Sequence, residues 1–291
     1  MSFEIMTYSR LDFSFLDNTK NKNVTYNILM QDKTRVEKAL MVPSAYKLQI
    51  EVINKFAAGD ITKNRLIMQH IPKTSLTNQL FLAAKKGTPI VTFGRKNKPG
   101  IMILAGVHGN EYPAQIAAVR LINRLAVEEL SVTVHVIPFA IPLSTERSLR
   151  SWRGQDPNRT ANLYGTPTNN ILAYSKRNEV KYLGDFHSTR PGGYPGKLSV
   201  LCSEIPCLLS FQMADFIEKE TKSTLLSFTK AGSIYPGALE DVFNLAGVPA
   251  VTGESMSPHG TVMPGSIDAS LEQMYAFLKF HKVLKKAPEV T

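Results

Sequence analysis

The spacing of hydrophobic positions changes along this chain of 291 residues. Residues 44–60 and 76–86 carry apolar side chains at helical spacing, and a Gly-Asp pair ends the first stretch. Beyond them, short apolar or β-branched runs alternate with longer amphipathic ones. The short runs predict strands at 91–93, 101–105, 131–137, 180–186, 198–202 and 248–254, and the longer ones predict helices at 111–126, 210–220, 238–247 and 266–284.

Strands that alternate with helices are typical of an α/β fold. We therefore predict a mixed, mostly parallel central sheet with helices on both faces, formed by residues 87–291 as one domain. Residues 1–86 contain no motif that we can interpret. They are predicted to form a small, basic N-terminal extension of unknown role.

Composition limits the class of protein. Apolar residues make up 43% of the chain and charged residues 20%, as in ordinary globular proteins. No apolar run approaches the roughly 18 residues of a membrane span, and no basic segment followed by an apolar one opens the chain. Two cysteines give no disulfide framework. We therefore expect a cytoplasmic protein without a membrane span.

The net charge of +10 is concentrated in the first third of the chain. Residues 61–100 hold eight basic residues and no acidic one. Such a run is either a solvated face or a patch that attracts an acidic partner. Aromatic residues are not interleaved with the basic ones, so we expect no nucleic-acid partner.

Histidines and glutamates follow the carboxyl ends of three predicted strands. His108 and Glu111 follow the strand at 101–105, His187 follows the strand at 180–186, and Glu254 closes the strand at 248–254. In open α/β sheets, ligands bind beyond the carboxyl ends of the strands. We therefore expect these four side chains to meet at one edge of the sheet.

Two histidines and one carboxylate are a common catalytic zinc set, which leaves a coordination position for water. His108, Glu111 and His187 are the predicted ligands of one zinc ion, and Asp185 is a candidate to orient them. Glu254 is the predicted general base.

A loop rich in arginine spans residues 147–162, where Gly154 and Pro157 interrupt any regular element. One arginine can stabilise an oxyanion, and another can bind a substrate carboxylate with two hydrogen bonds. This loop is predicted to lie over the site.

The motifs GVHGNE, DPNR, DFHS and TGES occur here in the order of the zinc carboxypeptidase superfamily. More closely, the chain resembles the succinylglutamate desuccinylase/aspartoacylase family over residues 88–284. The resemblance implies that His108, Glu111 and His187 bind zinc and that Glu254 activates water. It also implies that Asn158 and Arg159 bind a substrate carboxylate.

An arginine that precedes this pair would polarise the scissile carbonyl in the family. Arg150 is our choice, and Arg153 is the alternative. Tyr235 and Asp241 lie in a stretch that resembles the segment lining the carboxypeptidase specificity pocket, and we predict that they contact substrate. Only 37 residues follow Glu254, so the C-terminal β-domain that often closes the deacylase site is expected to be missing.

The resemblance leaves three functions open. The first is a zinc-dependent deacylase of N-acyl amino acids, and the second is a metallocarboxypeptidase that acts on peptides or cell-wall peptides. Both substrates carry a free carboxylate. The third is a zinc-containing binding protein without catalysis. Apart from the resemblance, the basic run leaves open a role of the N-terminal segment as a tether to an acidic polymer.

Overall fold

The computed structural model describes residues 48–94 and 99–284. These residues form a sheet of eight strands in the order β1-β2-β4-β3-β5-β8-β6-β7. The strands are β1 Gln49–Ile53, β2 Thr88–Phe93, β3 Gly100–Ala105, β4 Thr133–Ile137, β5 Val180–Thr189, β6 Ser199–Ile205, β7 Thr224–Lys230 and β8 Ala250–Met256. Strands β4, β3, β5 and β8 run parallel in the centre, and β6 pairs antiparallel with β8 and parallel with β7.

Eight helices accompany the described strands: α1 Arg65–His70, α2 Ser75–Ala84, α3 Tyr112–Leu125, α4 Pro142–Glu146, α5 Pro167–Arg177, α6 Leu208–Thr221, α7 Leu239–Leu245 and α8 Ser266–Phe280. Short 3-10 turns cover Lys55–Ala57, Ile61–Lys63 and Pro157–Arg159. No helix in the described part of the chain is long and apolar enough to cross a membrane.

Helices cover both faces of the sheet. Alternate side chains of β3 point to opposite faces and pack in two separate cores. Ile103 packs in one core with Ile116 of α3 and Phe277 of α8. Leu104 packs in the other with Phe243 of α7. This arrangement confirms the predicted mixed, mostly parallel sheet with helices on both faces.

The helix predicted at residues 44–60 is wrong within the described residues. Gln49–Ile53 forms β1, which pairs antiparallel with β2 from Gln49↔Thr92 to Ile53↔Thr88. The β-branched residues Ile50, Val52 and Ile53 favour extended backbone. The helical spacing gave the wrong prediction because the partner strand lies about 35 residues further along the chain. The spacing of nearby residues carries no information about pairing with so distant a strand.

Residues 48–86 of the predicted N-terminal extension pack with the rest of the sheet. Strand β1 forms its edge, and Ile61, Ile67 and Leu80 are fully buried in the same core as α3. Residues 1–47 of the predicted extension lie outside the described residues. Residues 95–98, between β2 and β3, also lie outside them.

Candidate active site

A tight turn after β3 presents the first two predicted ligands. Gly109 lies so close to α4 that an added Cβ would come within 2.0 Å of the backbone carbon of Ser144, so only glycine fits here. The buried amide of Gln115 donates to the carbonyl oxygens of His108, Gly109 and Glu111 at 3.3, 3.3 and 2.9 Å. These contacts hold the turn in one conformation.

The three predicted ligands lie together and are buried. His108 Nδ1 is 2.9 Å from Glu111 Oε1, and His187 Nδ1 is 2.8 Å from Glu111 Oε2. Ligand atoms from all three side chains fall within 4.8 Å of one another. Their positions allow one ion to contact all three residues.

An aspartate lies behind each histidine. His108 Nε2 is 2.8 Å from Asp156 Oδ1, and His187 Nε2 is 3.0 Å from Asp185 Oδ2. Both imidazoles thus turn Nδ1 towards Glu111 and Nε2 outwards. The contact with Asp156 is a hydrogen bond, of the kind that fixes the tautomer and orientation of histidines that bind metals, whereas Asp185 contacts His187 as an ion pair without hydrogen-bond geometry.

Charge shifts the acidity of the cluster. Burial alone would raise the pKa of Glu111, but His108 and His187 outweigh it and hold that pKa well below its usual range. Burial would lower the pKa of His187, but the carboxylates of Asp185 and Glu111 raise it well above its usual range. Glu111 is therefore an ionised acceptor at neutral pH, as a metal ligand must be.

Glu254 lies beside His187 on the neighbouring strand, because the two residues are paired in the register of β5 and β8. Both residues lie inside their strands, two positions before the end, whereas the sequence predicted His187 just after its strand and Glu254 at the last position of its strand. Glu254 Oε2 is buried and has no hydrogen-bond partner among the described residues. Burial and the charge of Glu111 raise the pKa of this carboxyl to about 8.

Of the two candidate arginines, the structure brings Arg150 to the cluster. Arg150 Nη1 is 2.7 Å from Glu111 Oε1, and Nη2 is 3.6 Å from Asp156 Oδ2. The guanidinium of Arg153 instead stacks 4.5 Å from the ring centre of Trp152.

The DPNR motif is tied to the first residue of α7 and to the segment before it. Asn158 Oδ1 accepts a hydrogen bond from the backbone N–H of Leu239 at 2.9 Å. The guanidinium of Arg159 lies 4.8 Å from the ring centre of Tyr235. An added Cβ on Gly237 would approach the carbonyl oxygen of Arg159 to 2.3 Å, so this close contact also requires glycine. The two predicted substrate-binding segments therefore form one wall.

These side chains line one cavity of about 430 Å³. Most of the predicted site residues lie on its surface: His108, Glu111, Arg150, Asn158, Arg159, His187, Tyr235 and Glu254. Neither Arg153 nor Asp241 lines it, although the neighbour of Asp241, Glu240, does.

Three of the lining residues that were not predicted from the sequence are acidic, basic or histidine residues. His259 Nε2 is 3.6 Å from Glu111 Oε1, and partial burial lowers the pKa of this histidine. Arg190 and Glu240 also face the cavity. His259 and Arg190 each follow a strand that carries a predicted site residue, a signal that could have identified them. Glu240 had no such signal.

No family model matches the sequence, and no curated protein matches it. Solved structures do. An aspartoacylase family protein of Mesorhizobium loti is 18% identical with a TM-score of 0.54, over 69% of this chain and 63% of that one. A succinylglutamate desuccinylase/aspartoacylase of Rhodobacter sphaeroides is 18% identical with a TM-score of 0.53, over 70% and 62%. A metallo-carboxypeptidase of Burkholderia cenocepacia is 14% identical with a TM-score of 0.56, over 87% and 68%.

The chain thus spans less than two thirds of the length of the first two structures. These structurally similar proteins belong to the families whose motifs the sequence resembles. At these identities the likeness establishes the architecture, and the chain has the fold shared by the aspartoacylase, desuccinylase and metallocarboxypeptidase structures.

Proposed function

We propose that this protein is a zinc-dependent hydrolase that cleaves an amide bond next to a carboxylate-bearing group. One observation carries the proposal: a cluster of two histidines and a glutamate shares a cavity with a buried glutamate and an arginine. Its leading form is a deacylase of N-acyl amino acids. The neighbouring structures include proteins named for both deacylation and carboxypeptidase activity, so their likeness supports a hydrolase.

His108, Glu111 and His187 fit a single zinc ion. The donor set of two nitrogens and one carboxylate suits zinc, and His108 Nδ1 is buried without a hydrogen bond of good geometry among the described residues. The outer aspartates suit the same assignment. Bound zinc would supply a Lewis acid that makes water acidic near neutral pH, and a positive charge that favours the ionised form of Glu254.

In this proposal Glu254 accepts the proton of the attacking water and returns it to the departing nitrogen. Its buried carboxylate has an oxygen with no competing hydrogen bond among the described residues, so that oxygen is available for the transfer. Arg150 stabilises the oxygen that gains negative charge during attack. In the structure its guanidinium already lies at the edge of the cluster, against Glu111.

Arg159 and Asn158 hold the substrate carboxylate in this proposal. Asn158 Oδ1 is used by the backbone N–H of Leu239, which leaves the amide nitrogen to donate to substrate. Arg159 can offer two parallel hydrogen bonds. Because an N-acyl amino acid and a peptide both end in a carboxylate, a metallocarboxypeptidase would use the same pair.

Glu254→Gln distinguishes an enzyme from a non-catalytic binding protein. Glutamine keeps the size of the side chain and removes the base, so we expect kcat to fall by about 10²–10⁴-fold while zinc content and substrate affinity remain. The assay is a panel of N-acyl amino acids and short peptides, with and without added zinc, together with elemental analysis. Glu272→Gln, on an exposed face of α8, is the matched control.

Two results would contradict this proposal. Wild-type turnover by Glu254→Gln would exclude Glu254 as the base. Unchanged zinc content in His187→Ala would exclude His187 as a ligand.

A further inference from the structure

The catalytic cavity extends from the histidine cluster to a buried carboxyl group that the proposed reaction does not use. Glu240 belongs to the first turn of α7, and it is 7% exposed. Leu201, Phe228 and Thr252 line the cavity together with it. The strand register places Leu201 beside Thr252 and Phe228 beside Ser203, whose backbone N–H donates to Glu240, so two apolar side chains and one acidic group share this part of the cavity.

The hydrogen bonds that Glu240 accepts come from neutral groups, and its carboxyl group also lies within hydrogen-bond reach of the carboxyl group of Asp241. Its Oε1 accepts from the backbone N–H of Ser203 at 3.0 Å and from Asn244 Nδ2 at 2.6 Å. Asp241, its neighbour, is 4% exposed and accepts from the hydroxyl of Ser203 at 3.2 Å. Among the described residues, no lysine, arginine or histidine forms an ion pair with either carboxyl group.

Two buried acids without a cation are costly to ionise. Burial and the adjacent Asp241 raise the pKa of Glu240 well above its usual range. Acidic residues at the start of a helix stabilise it through the helix dipole, and exposed side chains are sufficient for that effect. Helix stabilisation therefore does not account for a carboxyl group placed on the wall of a cavity.

We propose that Glu240 determines substrate specificity, and that the side chain entering this part of the cavity ends in an ammonium or a guanidinium group. The inference rests on the proposed hydrolase function. The substrate is then an N-acylated or peptide-linked amino acid with a cationic side chain. Its methylene groups lie against Leu201 and Phe228, and its charged end binds Glu240.

The wall described above links the two ends of such a substrate. Asn158, which is proposed to bind the carboxylate, accepts a hydrogen bond from the backbone N–H of Leu239. Leu239 directly precedes Glu240. The carboxylate site and the acidic group are therefore held at a fixed separation. A substrate with a carboxylate and a cation at matching separation satisfies both at once.

The test compares substrates of similar size and different charge with the zinc-loaded chain. The panel pairs N-acetyl-lysine and N-acetyl-arginine with N-acetyl-norleucine, N-acetyl-glutamine and N-acetyl-glutamate, and adds dipeptides that end in the same residues. We expect kcat/KM to be about 10–100-fold higher for the cationic members, which corresponds to one hydrogen bond between charged groups. Equal or better cleavage of norleucine or glutamine substrates would overturn the inference.

Glu240→Gln tests the residue itself. Glutamine can still accept from Ser203 and Asn244 through its carbonyl oxygen, so the local fold is kept. The ratio of kcat/KM for lysine over norleucine substrates should fall towards one, mainly through KM. The control Glu272→Gln removes the same charge from the surface and should keep the ratio. An equal loss on every substrate would assign Glu240 a structural role and contradict the inference.

Failure of the proposed function gives a different result. If zinc-loaded chain cleaves no member of the panel, the hydrolase proposal fails, and binding then tests the pocket. Calorimetry should still show N-acetyl-lysine binding about 10–100-fold more tightly than N-acetyl-norleucine, with the difference lost in Glu240→Gln. Equal affinities would overturn the specificity inference independently.

Discussion

Gln115 holds the turn that carries two of the three predicted zinc ligands, although it contacts no ligand side chain. Its Nε2 donates to three carbonyl oxygens of the turn, and its Oε1 accepts from the hydroxyl of Thr145 at 2.8 Å. Gln115→Met keeps the length of the side chain and removes all four contacts. Two of them are at or below 2.9 Å and two are at 3.3 Å, so they differ in strength.

The expected cost follows from this set. The two short bonds contribute about 1 kcal/mol each, and the buried carbonyl of Glu111 loses a donor that methionine cannot replace. We expect unfolding free energy to fall by about 2–4 kcal/mol. Because the turn then relaxes, zinc affinity should fall by about 10–100-fold, the usual effect of losing an outer partner of a metal ligand.

Urea denaturation of the zinc-free chain and competitive zinc titration measure the two effects. Gln273→Met is the matched control: Gln273 is also fully buried, and its Nε2 donates to Ser199 O and Ser223 Oγ at 2.9 Å each. The control should lose stability with nearly unchanged zinc affinity. If both variants lose zinc affinity equally, Gln115 acts on stability alone and the reasoning is refuted.

Three further predictions follow from other contacts. Arg159→Ala should raise KM, whereas Arg150→Ala should lower kcat by about 10²–10³-fold. Steady-state kinetics measure both constants. If both variants change the same constant, or neither variant changes either constant, these roles are contradicted. Gly237→Ala should lower the unfolding free energy, measured by urea denaturation, by at least about 1 kcal/mol more than Gly165→Ala does. Both glycines have positive φ, but of the two only Gly237 has a neighbour within 4 Å of an added Cβ. Equal losses of stability would show that the close contact is unimportant. Hydrogen bonds from Lys63 and from a backbone N–H lower the pKa of Glu146, so the stabilisation that Glu146 provides is present above about pH 4.5 and is lost as pH falls. The difference in unfolding free energy between wild type and Glu146→Gln should therefore shrink between about pH 6 and about pH 3. A constant difference would contradict this prediction.

Much of the local structure was predictable from the sequence because most long amphipathic helices and buried strands have their own spacing, although helix α5 was not predicted. Strand β3 and helix α3 lie where the pattern placed them. Strand β1 was mistaken for a helix, and β7, an edge strand with mostly partial burial, gave no clear pattern. Pairing between distant strands decides such segments, and local spacing does not contain it.

The site divides in the same way. Four residues could be grouped in advance because each stands near the carboxyl end of a predicted strand, and the structure brings all four together. The choice between Arg150 and Arg153 depended on a loop whose path no spacing rule predicts. Glu240 could not be found because its importance comes from a cavity wall formed by several separate segments. Zinc, the cytoplasmic location and the roles of the site residues stay predictions.

The position of β8 affects how a newly made chain can fold. It is the last strand of the described sheet to be synthesised, yet it lies between β5 and β6. Until it emerges from the ribosome, β1 to β5 and the pair β6 and β7 have no strand in common, and each leaves an edge that can pair wrongly with another chain. Glu254 is part of β8, so the proposed base arrives with the strand that joins the two halves. A truncated or stalled chain would therefore hold all three proposed zinc ligands and lack the proposed base.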